Sequence, residues 1–186
     1  MAPKTKISKD MILNAAFDLV RQYGHEALNA RSLAEKLNCS TQPILYQFAS
    51  MEEIRQAVYQ KADEFHTQYL FSGAEQDPSP MLAIGLAYVR FGHEEPNLFR
   101  LLFQTNHFHG LSLDSLITDP ETAPLLAVTA EAFGCGKEQA AGLFRTMFIL
   151  VHGYAALLAN NAMEYEEKQA EQMLVSVFSG LKETLA

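Results

Sequence analysis

Asn29–Ser50, NARSLAEKLNCSTQPILYQFAS, is the stretch that decides how this 186-residue chain is read. Leu33 and Leu37 recur at the helical i, i+4 spacing behind Asn29, a good capping residue, so the pattern predicts a short helix from about Ala30 to Leu37. Asn38 tolerates the left-handed backbone that a tight turn demands, and Cys39 occupies an apolar position of that turn. Ser40 stands where it would cap a second helix running to about Gln47, with Ile44 and Phe48 turned inward. Two helices joined by three or four residues have the dimensions of a helix-turn-helix, and Ala34 supplies the small residue that their crossing needs. Thr41, Gln42, Tyr46 and Gln47 then form an outward polar face. Gln pairs bidentately with adenine, Thr offers a hydroxyl or a methyl group, and Tyr46 reaches a phosphate or stacks. Capping by Ser40 would also point free helix amides at a phosphate or base edge. An ordinary helical hairpin with a solvated face fits the same residues, so the flanks must decide.

Upstream, Ile12, Ala15, Ala16, Leu19, Val20 and Tyr23 draw one apolar stripe, with Ser8 to cap its start and Gly24 its end. Downstream, Ser50-Met51-Glu52-Glu53 reads as a capping box in which Ser50 and Glu53 satisfy each other's amides, opening a helix through Ile54, Val58 and Phe65 to about Leu70. Ser72–Pro80, holding Gly73, Pro78 and Pro80, is the clear break, and the functional boundary is expected near it. Beyond it, Met81–Gly92 and Pro96–Phe103 read as helices separated at Glu95-Pro96. His107–Asp119 reads as loop or fragmentary helix, and Pro120–Phe133, Lys137–Asn160 and Tyr165–Leu185 as helices. No alternating run suggests a sheet, so the fold class is all-α.

The composition is that of a globule: 48% hydrophobic, 19% charged, 10 Gly and 7 Pro exclude disordered and collagenous chains. A net charge of -8 argues against a nucleic-acid partner for the chain as a whole. Residues 1–50, however, carry six bases and four acids, whereas residues 67–186 carry six bases and fourteen acids, so the two segments are suited to different partners. Two cysteines are too few for a disulfide scaffold, and MAPKTKISKD lacks the apolar stretch of a secretory signal; a cytoplasmic protein is expected. Thr146–Met163 has no Asp, Glu, Lys or Arg and approaches the length of a membrane span. His152, Gly153, Asn160 and Asn161 interrupt it, so a buried helix and no membrane partner are expected.

Asn14–Val58, with AAFDLVRQYG (15–24), LNARSLAEKLNCSTQPI (28–44) and FASMEEI (48–54), resembles the DNA-binding domain of TetR/AcrR-type transcriptional regulators. The register is kept through four helices. Asn29 stands at the usual Thr or Ser that starts the second helix, and Ser40 at the usual start of the recognition helix. Leu45 stands where many members carry an aromatic residue, and Met51 where many carry a base. YVRFGHEEPNLFRLLF (88–103) and Val151-His152-Gly153 resemble, more loosely, the Trp-His-Gly ligand-binding subtype, with Val151 in the place of Trp.

The resemblance implies an N-terminal three-helix helix-turn-helix DNA-binding domain over 1–50, a connecting helix over 51–70 and a helical ligand-binding and dimerisation domain over 71–186. It implies a repressor that binds a palindromic double-stranded operator as a homodimer through the last two helices and is released by a small hydrophobic effector. Lys4, Lys6, Asn29, Arg31, Ser40, Thr41, Gln42, Pro43, Tyr46 and Gln47 are the candidate DNA contacts, with Lys9 beside them on the arm. Phe91, Phe99, Phe103, Met147 and His152 are the candidate effector contacts. Independently, Lys137–Asn160 is apolar almost all round, through Leu143, Phe144, Met147, Phe148, Leu150, Val151, Tyr154 and Leu158, and such a helix must bury two sides. The final helix has a compatible stripe in Met173, Leu174, Val177, Phe178 and Leu181.

Other chemistries have less to stand on. His93, His107 and His109, with Glu94 or Glu95, have no informative ligand spacing, so neither a metal nor a cofactor is assigned. Arg90, Arg100 and Arg145 each snorkel, pair with an acid or meet an anionic effector. Cys135 lies between two glycines as a lone thiol. An enzyme would need a nucleophile with a base, a phosphate loop or paired carboxylates, and Glu94-Glu95 and Glu166-Glu167 project in different directions on a helix. An all-helical interaction protein without DNA activity is the first alternative, and a small enzyme ranks below it.

Overall fold

Among residues 7–72 and 74–184, which the computed structural model describes, every regular element is helical. The α-helices are α1 (Lys9–Tyr23), α2 (Ala30–Lys36), α3 (Gln42–Gln47), α4 (Met51–Phe71), α5 (Pro80–Glu94), α6 (Pro96–Phe103), α7 (Leu113–Ile117), α8 (Ala123–Phe133), α9 (Lys137–Asn161) and α10 (Glu167–Glu183). The chain packs as two units. One takes the residues up to Phe65 together with Asn97–Thr105, and the other takes His66–Pro96 with the chain from Asn106 onward.

In the first unit Ser8 caps α1, its Oγ accepting from the Met11 amide at 3.2 Å. Gly24 closes the helix with a φ of 87° that a side chain would resist, and its N–H donates to the Val20 carbonyl at 2.8 Å. The buried stripe is Ile12, Ala15, Ala16, Phe17, Leu19 and Val20. Tyr23, expected inside, is 62% exposed. Phe17 takes an inward place instead and meets Phe65 edge-on at 5.8 Å. Both rings carry a cation on their faces, Lys61 over Phe17 at 5.3 Å and Arg21 over Phe65 at 5.2 Å. Helix α6 belongs to this unit: Leu98, Phe99 and Leu102 are buried, and Asn97 Nδ2 donates to the Arg21 carbonyl at 2.9 Å.

The second unit is organised on α5, which packs against α9 and α10, with α8 also on α9. Gly92 lets α5 approach α9 so closely that a Cβ there would stand 2.7 Å from the Ala155 carbonyl oxygen. A Cβ on Gly85 would meet only the Leu174 Cδ1 tip at 3.4 Å and Val151 at 3.7 Å. Phe133 of α8 and Phe178 of α10 pack at 4.5 Å. Arg90 on α5 pairs with Glu167 at the start of α10. Helix α9 buries Leu143, Phe144, Met147, Val151, Ala155 and Leu158, while Ile149 and Leu157 are 53% and 50% exposed. By length and composition α9 could also cross a membrane, but its inner face is packed against α5 and α8.

Candidate nucleic-acid interface

Helix α2 has seven residues, too few to persist on propensity alone, and its ends are closed by side chains and turns. Asn29 Oδ1 accepts from the amides of Arg31 and Ser32, both at 3.0 Å, and Ser32 Oγ accepts in return from the Asn29 amide at 3.2 Å. At the other end Asn38 is left-handed, with φ 50°. Its amide donates to the Glu35 carbonyl at 3.0 Å and the Cys39 amide to the Ala34 carbonyl at 2.9 Å, a Schellman pair with Asn in the usual place of Gly. Leu33 and Ala34 face inward, and so do Ile44 and Phe48 of the following segment, as the spacing predicted.

Helix α3 departs from its expected start. Ser40 does not cap it: the helix begins at Gln42 behind Thr41, and no side-chain hydrogen bond closes this end among the described residues. Pro43 supplies the reason. A cap on Ser40 would make Pro43 the third helical residue, one of the two positions whose amides a capping oxygen takes, and proline has no N–H to give, which leaves only the Gln42 amide. Pro43 instead fits the first turn, where its fixed φ favours the helix.

Gln42, Leu45 and Tyr46 stand exposed on α3, Leu45 at 53% and Tyr46 at 79%, with Thr41 and Ser40 exposed before them. Gln42 Nε2 donates to Tyr46 Oη at 3.3 Å, so the two side chains form one surface. Gln47 is not part of it. Its Nε2 turns back to donate to the Ile7 carbonyl at 3.2 Å, tying α3 to the approach of α1. Leu45, which the outward polar face expected from the sequence does not include, shares the face of Gln42 by the i, i+3 rule.

Asn29 and Arg31 are exposed at the start of α2, while Lys4 and Lys6 lie outside the described residues. Lys9 serves the brace: its ammonium is 3.0 Å from Glu53 Oε1 and 4.6 Å from the centre of the Phe48 ring. Glu53 accepts from the Ala49 amide at 2.6 Å, one residue earlier than a capping box requires, while its own amide donates to Ser50 Oγ at 3.1 Å. The Ala49 amide, then Lys9, hold the Glu53 carboxyl below its ordinary range.

The candidate effector residues divide between the units. Phe91, Met147 and His152 lie in the second, whereas Phe99 and Phe103 of α6, 4.9 Å apart, lie in the first. In the second unit His152 Nδ1 and Tyr88 Oη share a hydrogen bond of 2.9 Å, beside Phe148. His66 meets Tyr88 and Phe91 edge-on at 5.4 and 4.7 Å. Burial holds the His66 imidazole down at about 4, lowers that of His152 and raises the Tyr88 phenol. Tyr88 and His66 had no signal in the sequence beyond their place on apolar helices. Each arginine left open by the sequence is engaged within its unit: Arg90 by Glu167, Arg145 by Asp114, and Arg100 by Asn97 Oδ1 at 2.6 Å. Among the described residues no three His, Cys, Asp or Glu gather as a metal site. His93 lies instead 5.2 Å from the Tyr165 ring.

Comparison with known proteins points the same way. Residues 81–178, more than half of the chain, match the family model described as "Tetracyclin repressor-like, C-terminal domain". Over 179 residues, covering 95% of this chain and 92% of the relative, the sequence is 23% identical to a Bacillus subtilis (strain 168) protein named "Uncharacterized HTH-type transcriptional regulator YobS".

Proposed function

The chain belongs to the tetracycline-repressor-like (TetR) family of transcriptional regulators, and from that premise we propose that it is a cytoplasmic repressor that holds a palindromic operator as a homodimer and leaves it when a small hydrophobic effector binds. The observation that carries the DNA reading is the exposed Gln42–Leu45–Tyr46 face, held on a pair of short helices by the Asn29 and Asn38 closures. Two such faces related by a two-fold axis would enter successive major grooves about 34–36 Å apart. Asn29 and Arg31, with Lys4 and Lys6, would contact phosphates, so affinity falls with salt.

Self-association is supported by the outer face of α9. Gly142, Thr146, Ile149, Gly153 and Leu157 follow one another at helical spacing, all exposed, and Val175 of α10 is 42% exposed. An apolar stripe of this kind suits an interface between the last two helices of two copies. Residues 1–50 then read the operator, 51–70 connect, and 71–186 bind effector and partner, apart from Asn97–Thr105 in the first unit. The effector would contact Phe91, Met147 and His152, while Phe99 and Phe103 serve the first unit's core. With His66 and His152 biased to the neutral form and the arginines engaged, an uncharged molecule with one hydrogen-bonding group fits this region best. A coupling of about 1–3 kcal/mol would weaken the operator complex about 5- to 150-fold.

A gel-shift titration on the duplex upstream of the chain's own gene tests the reading. Retarded DNA is expected for the wild type, with loss in Gln42→Ala and Tyr46→Ala. Unchanged binding in both variants would remove α3 from the contact, and a monomer in sedimentation at micromolar concentration would remove the two-groove geometry.

A further inference from the structure

We infer that the operator half-site is read mainly through A·T base pairs, with Leu45 as a specificity-determining residue that packs on a thymine methyl group beside an adenine held by Gln42. This rests on the DNA-binding reading above and gives it a sequence preference.

From Leu37 to Met51 the chain has no Asp, Glu, Lys, Arg or His. Direct readout of guanine in the major groove relies on Arg or Lys reaching O6 and N7, and cytosine is read by a carboxylate accepting from N4. The turn and α3 offer neither. What α3 offers is an amide, an apolar branch and a phenol on one surface. Gln42 Nε2 gives one hydrogen to Tyr46 Oη at 3.3 Å, which leaves its second hydrogen and Oε1 for N7 and N6 of adenine. This contact fixes the amide before DNA arrives, so less rotamer freedom is lost on binding. Leu45, three residues on and 53% exposed, has no polar group to offer any base edge. The thymine C5 methyl is the apolar group in the major groove, and covering it removes both hydrocarbon surfaces from water. The cations described near α3 lie on other helices: Lys9 of α1 pairs with Glu53 at 3.0 Å over Phe48, Lys36 of α2 lies 3.8 Å from Asp18, and Arg31 stands in the first turn of α2 at the Asn29 cap.

The test begins with selection of duplexes from a randomised pool by the full-length chain. Each thymine of the selected half-site is then replaced by deoxyuridine, which deletes the methyl group and nothing else. A·T pairs are expected at the positions whose preference disappears in Gln42→Ala and Leu45→Ala. Deoxyuridine at one of them should weaken the wild type about four-fold, the worth of one buried methyl, and should leave Leu45→Ala unaffected. Selected half-sites with G·C at the positions sensitive to Gln42 or Leu45, or with their preference lost in Arg31→Ala alone, would overturn the inference while leaving the DNA-binding reading intact. So would equal deoxyuridine losses in wild type and variant. No enrichment of any duplex at low salt would overturn both. Because the deoxyuridine arm alters only the DNA, a folding defect in a variant cannot mimic it.

Discussion

The α2–α3 pair and the α5–α9 crossing solve the same problem, fixing one helix against another, by opposite means. The pair is made of helices of seven and six residues, and its geometry is written in single polar groups: the Asn29 box, the left-handed Asn38, and the Gln47 amide reaching Ile7. The crossing joins helices of 15 and 25 residues, and its geometry is written in missing side chains, with Gly92 against the Ala155 backbone. A reader needs its exposed residues at set positions over a short span, which local hydrogen bonds specify well. A long apolar crossing is specified by volume, and its tolerance to change depends on whether the neighbour is backbone or the tip of a side chain.

The comparison breaks most visibly if the reader depends on its polar closures alone. Phe48, 2% exposed beneath Lys9, argues that it does not. Phe48→Ala is expected to cost about 3–5 kcal/mol in urea unfolding, and to abolish operator retention with it. A loss below about 1 kcal/mol would show that the hydrogen-bonded closures suffice. In the second unit Gly92→Ala should cost about 3 kcal/mol, because the new Cβ meets backbone that can yield only by separating the helices. Gly85→Ala, facing the flexible end of Leu174, should cost less than about 1.5 kcal/mol. Equal melts for the two variants would remove close approach as the feature that positions α5 on α9.

What was legible in the sequence divides along the same line. Ser8, Gly24, Asn29 and Asn38 could be assigned because each acts on backbone within five residues of itself. Ser40 failed under the same rule because the neighbouring Pro43 deletes one of the two amides that a cap there could take and itself favours the first turn, so two local signals had to be read together. Contacts between distant segments left no such trace. Gln47 to Ile7, Lys9 to Glu53 and Tyr88 to His152 join residues 40, 44 and 64 positions apart. The limits of α6 were readable from Pro96, but the stripe Leu98, Phe99 and Leu102 announces burial without naming the partner. Phe99 and Phe103, expected with Phe91 and Met147, accordingly fall in the first unit.

His66 sharpens the contrast through pH. Its folded value of about 4 lies below the ordinary 6.5, so the folded chain keeps the imidazole neutral while the unfolded chain protonates. Stability from this group is complete above pH 6.5 and is lost as the pH falls toward 4, by about 2 kcal/mol between pH 7 and 5. His152, lowered by the same cause, acts in the same sense. Urea midpoints at pH 7 and 5 should converge in His66→Phe, which keeps an aromatic edge toward Tyr88 and Phe91. Glu53 cannot account for the loss in that window: its lowered pKa contributes stability above 4.5 that disappears only at more acid pH. A wild type with the same midpoint at both values would place the imidazole in contact with water.

The smallest effect belongs to Asn38, and it isolates the reader's turn from its core. Asn38→Ala puts a Cβ-bearing residue that lacks the local hydrogen bonding of Asn at φ 50°, and should lower stability by about 1 kcal/mol. Asn38→Gly removes that strain but adds freedom to the unfolded chain, so the two terms oppose and the net change should stay within about 0.5 kcal/mol. The side chain of Asn38 is exposed and α3 follows it by only three residues, so any larger consequence must pass through the turn. If Asn38→Ala weakened DNA binding by more than its loss of stability predicts while Asn38→Gly did not, the left-handed residue would be setting the angle at which Gln42, Leu45 and Tyr46 are presented. Equal affinities for both variants would assign that angle to the packing of Ile44 and Phe48 alone.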